Sequence, residues 1–393
     1  MISRSEAIMS LGIYVHIPFC IRKCPYCDFV SYPLQGEDGL EQKNIEDYVL
    51  SVLEEAAIYQ REFSINRQQI KTLYIGGGTP TCLSGGQLFY LLDSLQHIFE
   101  FAEEAEITVE GNPGTIEREK LEFIKKGGCN RLSLGVQSFA PEDLSTLGRI
   151  HSLQEVYTVY ELAKEIGFTN ISLDLMYGLP GQDIAAWRKI LRQAVELMPE
   201  HLSLYQLNIE KGTPFYLRRE QGLLFDVEQE MAQKMLLETI EYLTKNGYRH
   251  YEISNFSKVG RESKHNKVYW QNCEYLGLGA GASGYWRGVR YSNEHDLARY
   301  RGALRIGKKP VREEDPIDRE LSMSEHMFLG LRLLTGVEKE VFYNRFGIAI
   351  ESVFGTVIKR LKGEGLLFEN DKQIRLTKKG LFLANFVFME FLN

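Results

Sequence analysis

Leu11-Gly-Ile-Tyr14-Val-His-Ile17-Pro-Phe-Cys20-Ile-Arg-Lys-Cys24-Pro-Tyr26-Cys27-Asp28-Phe29 joins a short apolar run to a loop of three closely spaced cysteines. Leu11–Ile17 is the first of six such runs. The others are Lys71–Ile75, Glu106–Glu110, Arg131–Val136, Ile171–Met176 and Leu202–Leu207. Each is followed by a Gly/Pro/polar segment and then by an amphipathic stretch with helical spacing. Those stretches are about Asn44–Glu62, Ser84–Phe101, Thr115–Lys126, Leu153–Ile166, Asp183–Leu197 and Val227–Asn246. Alternating segments of this size imply parallel strands joined by right-handed crossovers. The expected fold class is α/β, a partial (β/α)6 barrel, with a doubly wound open sheet as the alternative. In a barrel, chemistry collects on the loops after the strand C-termini.

Working outward, Tyr248 to about Arg305 is aromatic and Gly-rich without a clear period. A polar segment, Lys308–Arg319, precedes helical stretches at Glu320–Thr335, Lys339–Phe346 and Ile348–Lys362. A polar turn at Asn370–Lys372, the run Ile374-Arg-Leu-Thr and a last helix from Lys378 complete a winged-helix-like α+β pattern. The expected division is a barrel core over 1–247, a barrel extension over 248–307 and a C-terminal domain over 308–393.

The 393 residues are 44% hydrophobic and 25% charged, with a net charge of −7. These values fit an ordered globular chain and argue against a broad nucleic-acid surface. Lys359, Arg360 and Lys362 give the winged-helix-like segment some basic character, but solvation explains such charges on a helix face, so no nucleic-acid partner is expected. No stretch reaches membrane-span length, and Met1–Ser10 lacks the apolar run of a signal peptide, so a cytoplasmic location is expected.

Three of the six cysteines crowd into eight residues, while Cys82, Cys129 and Cys273 are scattered. That distribution points to metal binding rather than a disulfide framework. Thiolates are the usual ligands of iron–sulfur clusters. Spacings of three and two residues, with Pro25 tightening the loop, bring Cys20, Cys24 and Cys27 around one cluster. A cubane has four irons, so one is left without a protein sulfur and open to a ligand. The competing reading is a zinc loop completed by His16 or Cys82. It would normally show paired CxxC elements, and none is present.

CxxxCxxC after the first strand of a βα barrel resembles the radical S-adenosylmethionine (SAM) signature. The resemblance covers nearly the whole chain and implies a [4Fe–4S] cluster whose open iron chelates SAM, with reductive cleavage to a 5′-deoxyadenosyl radical. Within that family the chain is similar to the oxygen-independent coproporphyrinogen III oxidase group. The group's SAM-contacting positions correspond here to Tyr14, Tyr26, Gly77, Gly78, Thr79, Glu110, Gln137, Arg149 and Asp174. Gly77, Gly78, Gln137, Arg149 and Asp174 also match positions that hold a second SAM in the oxidase.

Two departures separate the chain from the oxidase. The oxidase loop continues CxxxCxxCxC, whereas Cys27 is followed here by Asp28-Phe29, and 19 residues precede Cys20 where the oxidase has a longer segment. Both departures resemble HemW-type haem chaperones, as does His265-Asn266-Lys-Val-Tyr269-Trp270. The resemblance implies haem as a bound group, with His265, Tyr269 and Trp270 as candidate haem contacts, an acceptor protein as partner, and coproporphyrinogen oxidation as the alternative. An imidazole can ligate iron, and flat aromatic surface suits a macrocycle. Cys273 is a further candidate thiolate, with core packing as the competing reading. Leu276-Gly-Leu-Gly-Ala-Gly-Ala-Ser is expected to be a close-approach loop near the substrate. A homodimer is compatible with the sequence.

Overall fold

Each apolar run becomes a parallel strand, and each amphipathic stretch becomes the helix that returns the chain to the next one. A computed structural model describes residues 11–34, 42–63, 65 and 70–392, so Met1–Ser10 lies outside the described residues. The strands are β1 (Leu11–Ile17), β2 (Ile70–Gly77), β3 (Glu106–Gly111), β4 (Arg131–Gln137), β5 (Ile171–Tyr177) and β6 (His201–Gln206). The crossover helices are α1 (Gln42–Phe63), α2 (Gly85–Phe99), α3 (Arg118–Lys126), α4 (Leu153–Glu165), α5 (Ile184–Glu196) and α6 (Gln229–Lys245). Local chemistry sets their starts. Ser84 and Gln87 form a capping box at α2, Ser152 and Glu155 form another at α4, and Asp183 caps α5 through Ala186 N. Each satisfies amide donors that a helix N-terminus otherwise leaves unpaired.

β1 to β6 lie side by side in chain order and pair in parallel throughout. A doubly wound sheet reverses its strand order part-way across, and this one does not. Among the described residues the ladder stays open, its two edges being Val311–Pro316 and Arg249–Glu252. The architecture is a partial barrel.

The segment without a readable period carries the flanks of the same sheet. Asn255–Ser257 and Arg249–Glu252 continue antiparallel beyond β6. Tyr275–Leu278 pairs in parallel with the other side of β1 and leads into antiparallel Ser283–Trp286, Val289–Asn293 and Val311–Pro316. The expected division at 307/308 therefore falls ahead of a strand of this sheet. Val311–Pro316 reads as a polar linker because it is an exposed edge strand held by backbone pairing rather than by a buried face. Between the flanks lies one two-turn helix, α7 (Lys264–Trp270).

A main apolar core fills the space between the sheet and its helices, with Ile13, Val15, Leu73, Val109, Leu134 and Leu173 fully buried. A second core holds the C-terminal helices Arg319–Gly330, Lys339–Phe346 and Ile350–Gly363 against the sheet of Val337–Glu338, Leu367–Glu369 and Gln373–Leu376. Its basic residues are engaged locally: Arg360 pairs with Glu364 and Glu390, and Lys362 with Glu369. Among the described residues no helix is long and apolar enough to cross a membrane.

Candidate cofactor site

Side chains alternate along a strand, so Arg131, Ser133, Gly135 and Gln137 share one face of β4. All four line a cavity of about 440 Å³ inside the barrel, joined by Asp174 and Met176 of β5 and by Ser203 and Tyr205 of β6. Barrel interiors are ordinarily filled by layers of Val, Ile and Leu. A lumen built instead from Arg, Ser, Gly, Gln and Asp is a ligand chamber.

The cysteine loop stands at the chamber's open end, and Cys20, Cys24 and Cys27 all border it. Cys27 N donates to Cys24 O at 3.2 Å, which closes the turn at Pro25. Leu34 N to Cys20 O (2.8 Å), Phe215 N to Pro25 O (2.9 Å) and Thr79 N to Phe19 O (2.8 Å) pin the loop from three sides. The Gly76-Gly77-Gly78 turn approaches this loop rather than open space. A Cβ on Gly78 would lie 2.8 Å from Phe19 O and 2.9 Å from Ile17 O, inside contact distance, so no other residue fits without displacing backbone.

Two further groups reach the sulfurs: Thr79 Oγ1 lies 3.5 Å from Cys20 Sγ, and Arg149 Nη1 donates to Cys24 Sγ at 3.6 Å. Burial pushes the Cys20 and Cys27 thiols up. His16 is spent elsewhere, its Nε2 on Val30 O (2.7 Å) and its Nδ1 on Tyr14 Oη (2.9 Å), so it completes no zinc site. Cys82 borders a second cavity, which it shares with Ile21 of the cysteine loop, and is not among the residues lining the chamber. Cys129 is buried, as expected of a core thiol, whereas Cys82 and Cys273 are only partly buried.

Glu110 accepts from Tyr74 Oη at 2.6 Å and from Gly77 N at 3.2 Å. Its pKa is pushed up to about 7 by burial, against those two donors and with Asp174 adding to the rise. Asp174 is likewise raised by burial and accepts from Ser133 (2.9 Å) and Ser172 (3.1 Å). Gln137 has φ +66° where the β4–β5 register slips, a rare conformation that a site can use to aim a side chain. Tyr26 borders the chamber and packs on Phe215 with ring centroids 6.3 Å apart.

Four sequence-based candidates stand outside the wall. Tyr14 lies behind it, bonded to His16 and stacked 6.3 Å from Tyr74. His265 on α7 is fully buried, and both ring nitrogens are engaged, Nδ1 with Thr72 Oγ1 at 2.8 Å and Nε2 with Tyr269 Oη at 2.7 Å. In this arrangement both nitrogens are occupied, so His265 acts as a haem contact only where one of these bonds opens. Tyr269 packs edge-on against His265 and Tyr275. Trp270 is covered by the Arg332 guanidinium at 4.2 Å, which presses the C-terminal domain onto α7. The Gly-rich 276–283 stretch also misses the chamber. Gly279 N donates to Glu55, and a Cβ there would meet His16 O at 2.5 Å, so its close approach is to β1.

Sequence reasoning missed Tyr74, Arg131 and Asn266, all on the chamber wall. Period-two spacing back from Gln137 points to Arg131. Tyr74 leads into the Gly76-Gly77-Gly78 turn and Asn266 lies inside the His265–Trp270 motif, so the local signal for each is its place beside a candidate segment.

The chamber fits the group its loop suggests. Three sulfurs share one rim, a hydroxyl and a guanidinium are aimed at two of them, and a polar lumen lies below. Among the described residues no group of three or more His, Cys, Asp or Glu is gathered to hold a single metal ion. Cys20, Cys24 and Cys27 would hold a [4Fe–4S] cluster, whose chemistry when bound is one-electron reduction of a coordinated sulfonium.

Comparison with known proteins follows the same line. Residues 14–194 match the Radical SAM superfamily, and residues 317–383 match the HemN C-terminal domain. The coproporphyrinogen III oxidase HemN from Escherichia coli superposes with a TM-score of 0.83 at 25% identity, covering 98% of this chain and 90% of that one. The heme chaperone HemW of Bacillus subtilis is 40% identical over 380 residues, 96% of this chain and 98% of that protein. The heme chaperone HemW of Escherichia coli is 41% identical over 278 residues, 70% of each. Fold and site thus define a radical SAM protein, a class that implies a [4Fe–4S] cluster and SAM. Within it, the chain belongs to the HemW family.

Proposed function

We propose that this chain binds haem and passes it to an acceptor protein, using a radical SAM scaffold rather than oxidising coproporphyrinogen. The observation that carries this reading is the near-full-length similarity to heme chaperones, 40% over 380 residues, combined with Phe29 in place of the oxidase's additional loop cysteine. On the same reading Cys20, Cys24 and Cys27 hold the cluster, and Glu110, Gln137, Arg149 and Asp174 contact SAM together with Tyr26 and the Gly77-Gly78-Thr79 turn. Tyr14 supports that wall from behind. The haem site includes the face of Tyr269 and Trp270, and ligation by His265 requires its bonds to Thr72 and Tyr269 to open. The protein works in the cytoplasm, alone or as a homodimer, and takes no nucleic acid.

Anaerobically reconstituted protein titrated with haem develops a saturable Soret change near one haem per chain and transfers that haem to an apo-acceptor. An unchanged Soret band ends the proposal. The oxidase reading is favoured by the 0.83 TM-score to HemN. Incubation with dithionite, SAM and coproporphyrinogen III decides between them, and protoporphyrinogen formation would overturn the chaperone reading.

A further inference from the structure

Thr72 and Tyr74 stand two residues apart on β2, so they present the same face to α7. His265 is clamped on that face. Its Nδ1 bonds Thr72 Oγ1 at 2.8 Å, its Nε2 bonds Tyr269 Oη at 2.7 Å, and its ring stacks on Tyr74 at 5.1 Å and 25°. Glu106 holds the helix itself, with Oε1 accepting from His265 N (3.0 Å) and Oε2 from Lys264 N (3.1 Å). Burial, with Arg131 nearby, lowers the imidazole to about 3, so the ring stays neutral and makes one donor and one acceptor bond. Nothing in this arrangement leaves a ligand position open, yet it reaches the chamber through Tyr74, and α7 also sets Asn266 on the wall. The far side of Tyr74 carries the hydroxyl that donates to Glu110 Oε1 at 2.6 Å.

That contact matters because Glu110 lines the chamber and makes no ion pair among the described residues, the Arg131 charge acting on it from a distance. Its two bonds from the protein, Tyr74 Oη and Gly77 N, decide where its oxygens point and help keep it ionised. A tyrosine ring that turned even modestly would break the short bond to the carboxylate. The ring is kept from turning by the imidazole stacked on it, and the imidazole by its two partners.

We infer that His265 is a positioning residue of the SAM chamber, acting on Glu110 through Tyr74. The inference rests on reading the chamber as the SAM site. It gives the His265–Trp270 segment a role independent of haem, since α7 braces the wall that faces the cofactor.

The test measures SAM affinity of anaerobically reconstituted, full-length protein by equilibrium binding, with no turnover required. His265→Ala weakens SAM binding roughly tenfold, the range seen when outer-sphere supports are removed. Tyr74→Phe, which deletes only the hydroxyl, weakens it comparably. The double variant decides the route: if His265 acts through the Tyr74 hydroxyl, the two losses do not add. Iron content and the SAM-induced change in the electron paramagnetic resonance spectrum at saturation stay as in the parent protein, which separates misaimed binding from a collapsed site.

An unchanged SAM affinity in well-folded His265→Ala overturns the inference, as do fully additive losses. If His265→Ala loses its fold or cluster, Thr72→Val carries the test, because it removes one partner of the imidazole with little change of shape. Weakened SAM binding there supports the inference, and parent affinity overturns it. Failure of the unsubstituted protein to bind SAM removes the chamber reading and the inference with it, whereas binding that ignores these substitutions removes the inference alone.

Discussion

Arg149 joins the loop after β4 to the cysteine loop: Nη1 donates to Cys24 Sγ at 3.6 Å while Nη2 donates to Gly135 O at 2.8 Å. The guanidinium is a permanent cation, raised further by its partners Tyr26 and Cys24 against the cost of burial. It therefore sets a fixed positive charge and a hydrogen bond against one candidate cluster sulfur. Both favour the more negative, reduced form of a cluster. Arg149→Leu should make the reduction potential more negative, on the order of tens of millivolts. A spectroscopically monitored redox titration reads this directly, and an unmoved potential contradicts it.

Cys20, Cys24 and Cys27 lie outside the apolar cores. Replacing all three by Ala should reduce bound iron and sulfide to background while leaving the far-ultraviolet circular dichroism spectrum largely intact. Retained iron at parent stoichiometry would place the cluster elsewhere in the chain.

Gly78 sits where the second strand's loop crosses the first, with Ile17 O and Phe19 O both within 3 Å of a hypothetical Cβ. The obstacle is backbone, which cannot swing aside as a side chain can. Gly78→Ala is expected to destabilise the protein by about 1–3 kcal/mol, the usual range for forcing an extra methyl into a packed site, and to weaken SAM binding. Gly86, whose Cβ would meet nothing within 4 Å, is the control. Equal losses in the two variants refute the packing argument.

Glu55 on α1 is fully buried and accepts from Tyr300 Oη (2.6 Å), Asn293 Nδ2 (2.7 Å) and Gly279 N (2.8 Å). Burial outweighs those donors and pushes its pKa up to about 7 from an ordinary 4.5. The folded state therefore holds the proton more tightly than the unfolded chain. This contribution is fully present below the unfolded pKa and is lost as pH rises through the folded one, about 3 kcal/mol in all. Denaturant midpoints should fall between about pH 5 and pH 8, and less so in Glu55→Gln. An equal fall in both proteins would exclude Glu55 as the source.

Legibility from sequence followed the range of the interactions. Leu11–Ile17 is the same strand in sequence and structure, and Ser84 and Asp183 mark helix starts because capping is settled within four residues. Cys20, Cys24 and Cys27 are legible for the same reason, since their spacing is itself the chemistry. The flanking strands after Tyr248 were not legible, because they are short and one of them, Tyr275–Leu278, is held by a ladder partner on β1 more than two hundred residues earlier in the chain.

The sequence by itself determined the βα order, the sulfur-rich rim and the resemblance that named its class, all of which are carried by neighbours along the chain. Tertiary structure alone decided which polar residues face one another across the lumen. It set Arg131 and Asn266 on the chamber wall, left Tyr14 behind it, and enclosed His265 between Thr72, Tyr74 and Tyr269. The physical reason is that a side chain's availability depends on what the folded chain stacks and bonds against it, and those partners lie up to 193 residues away in sequence.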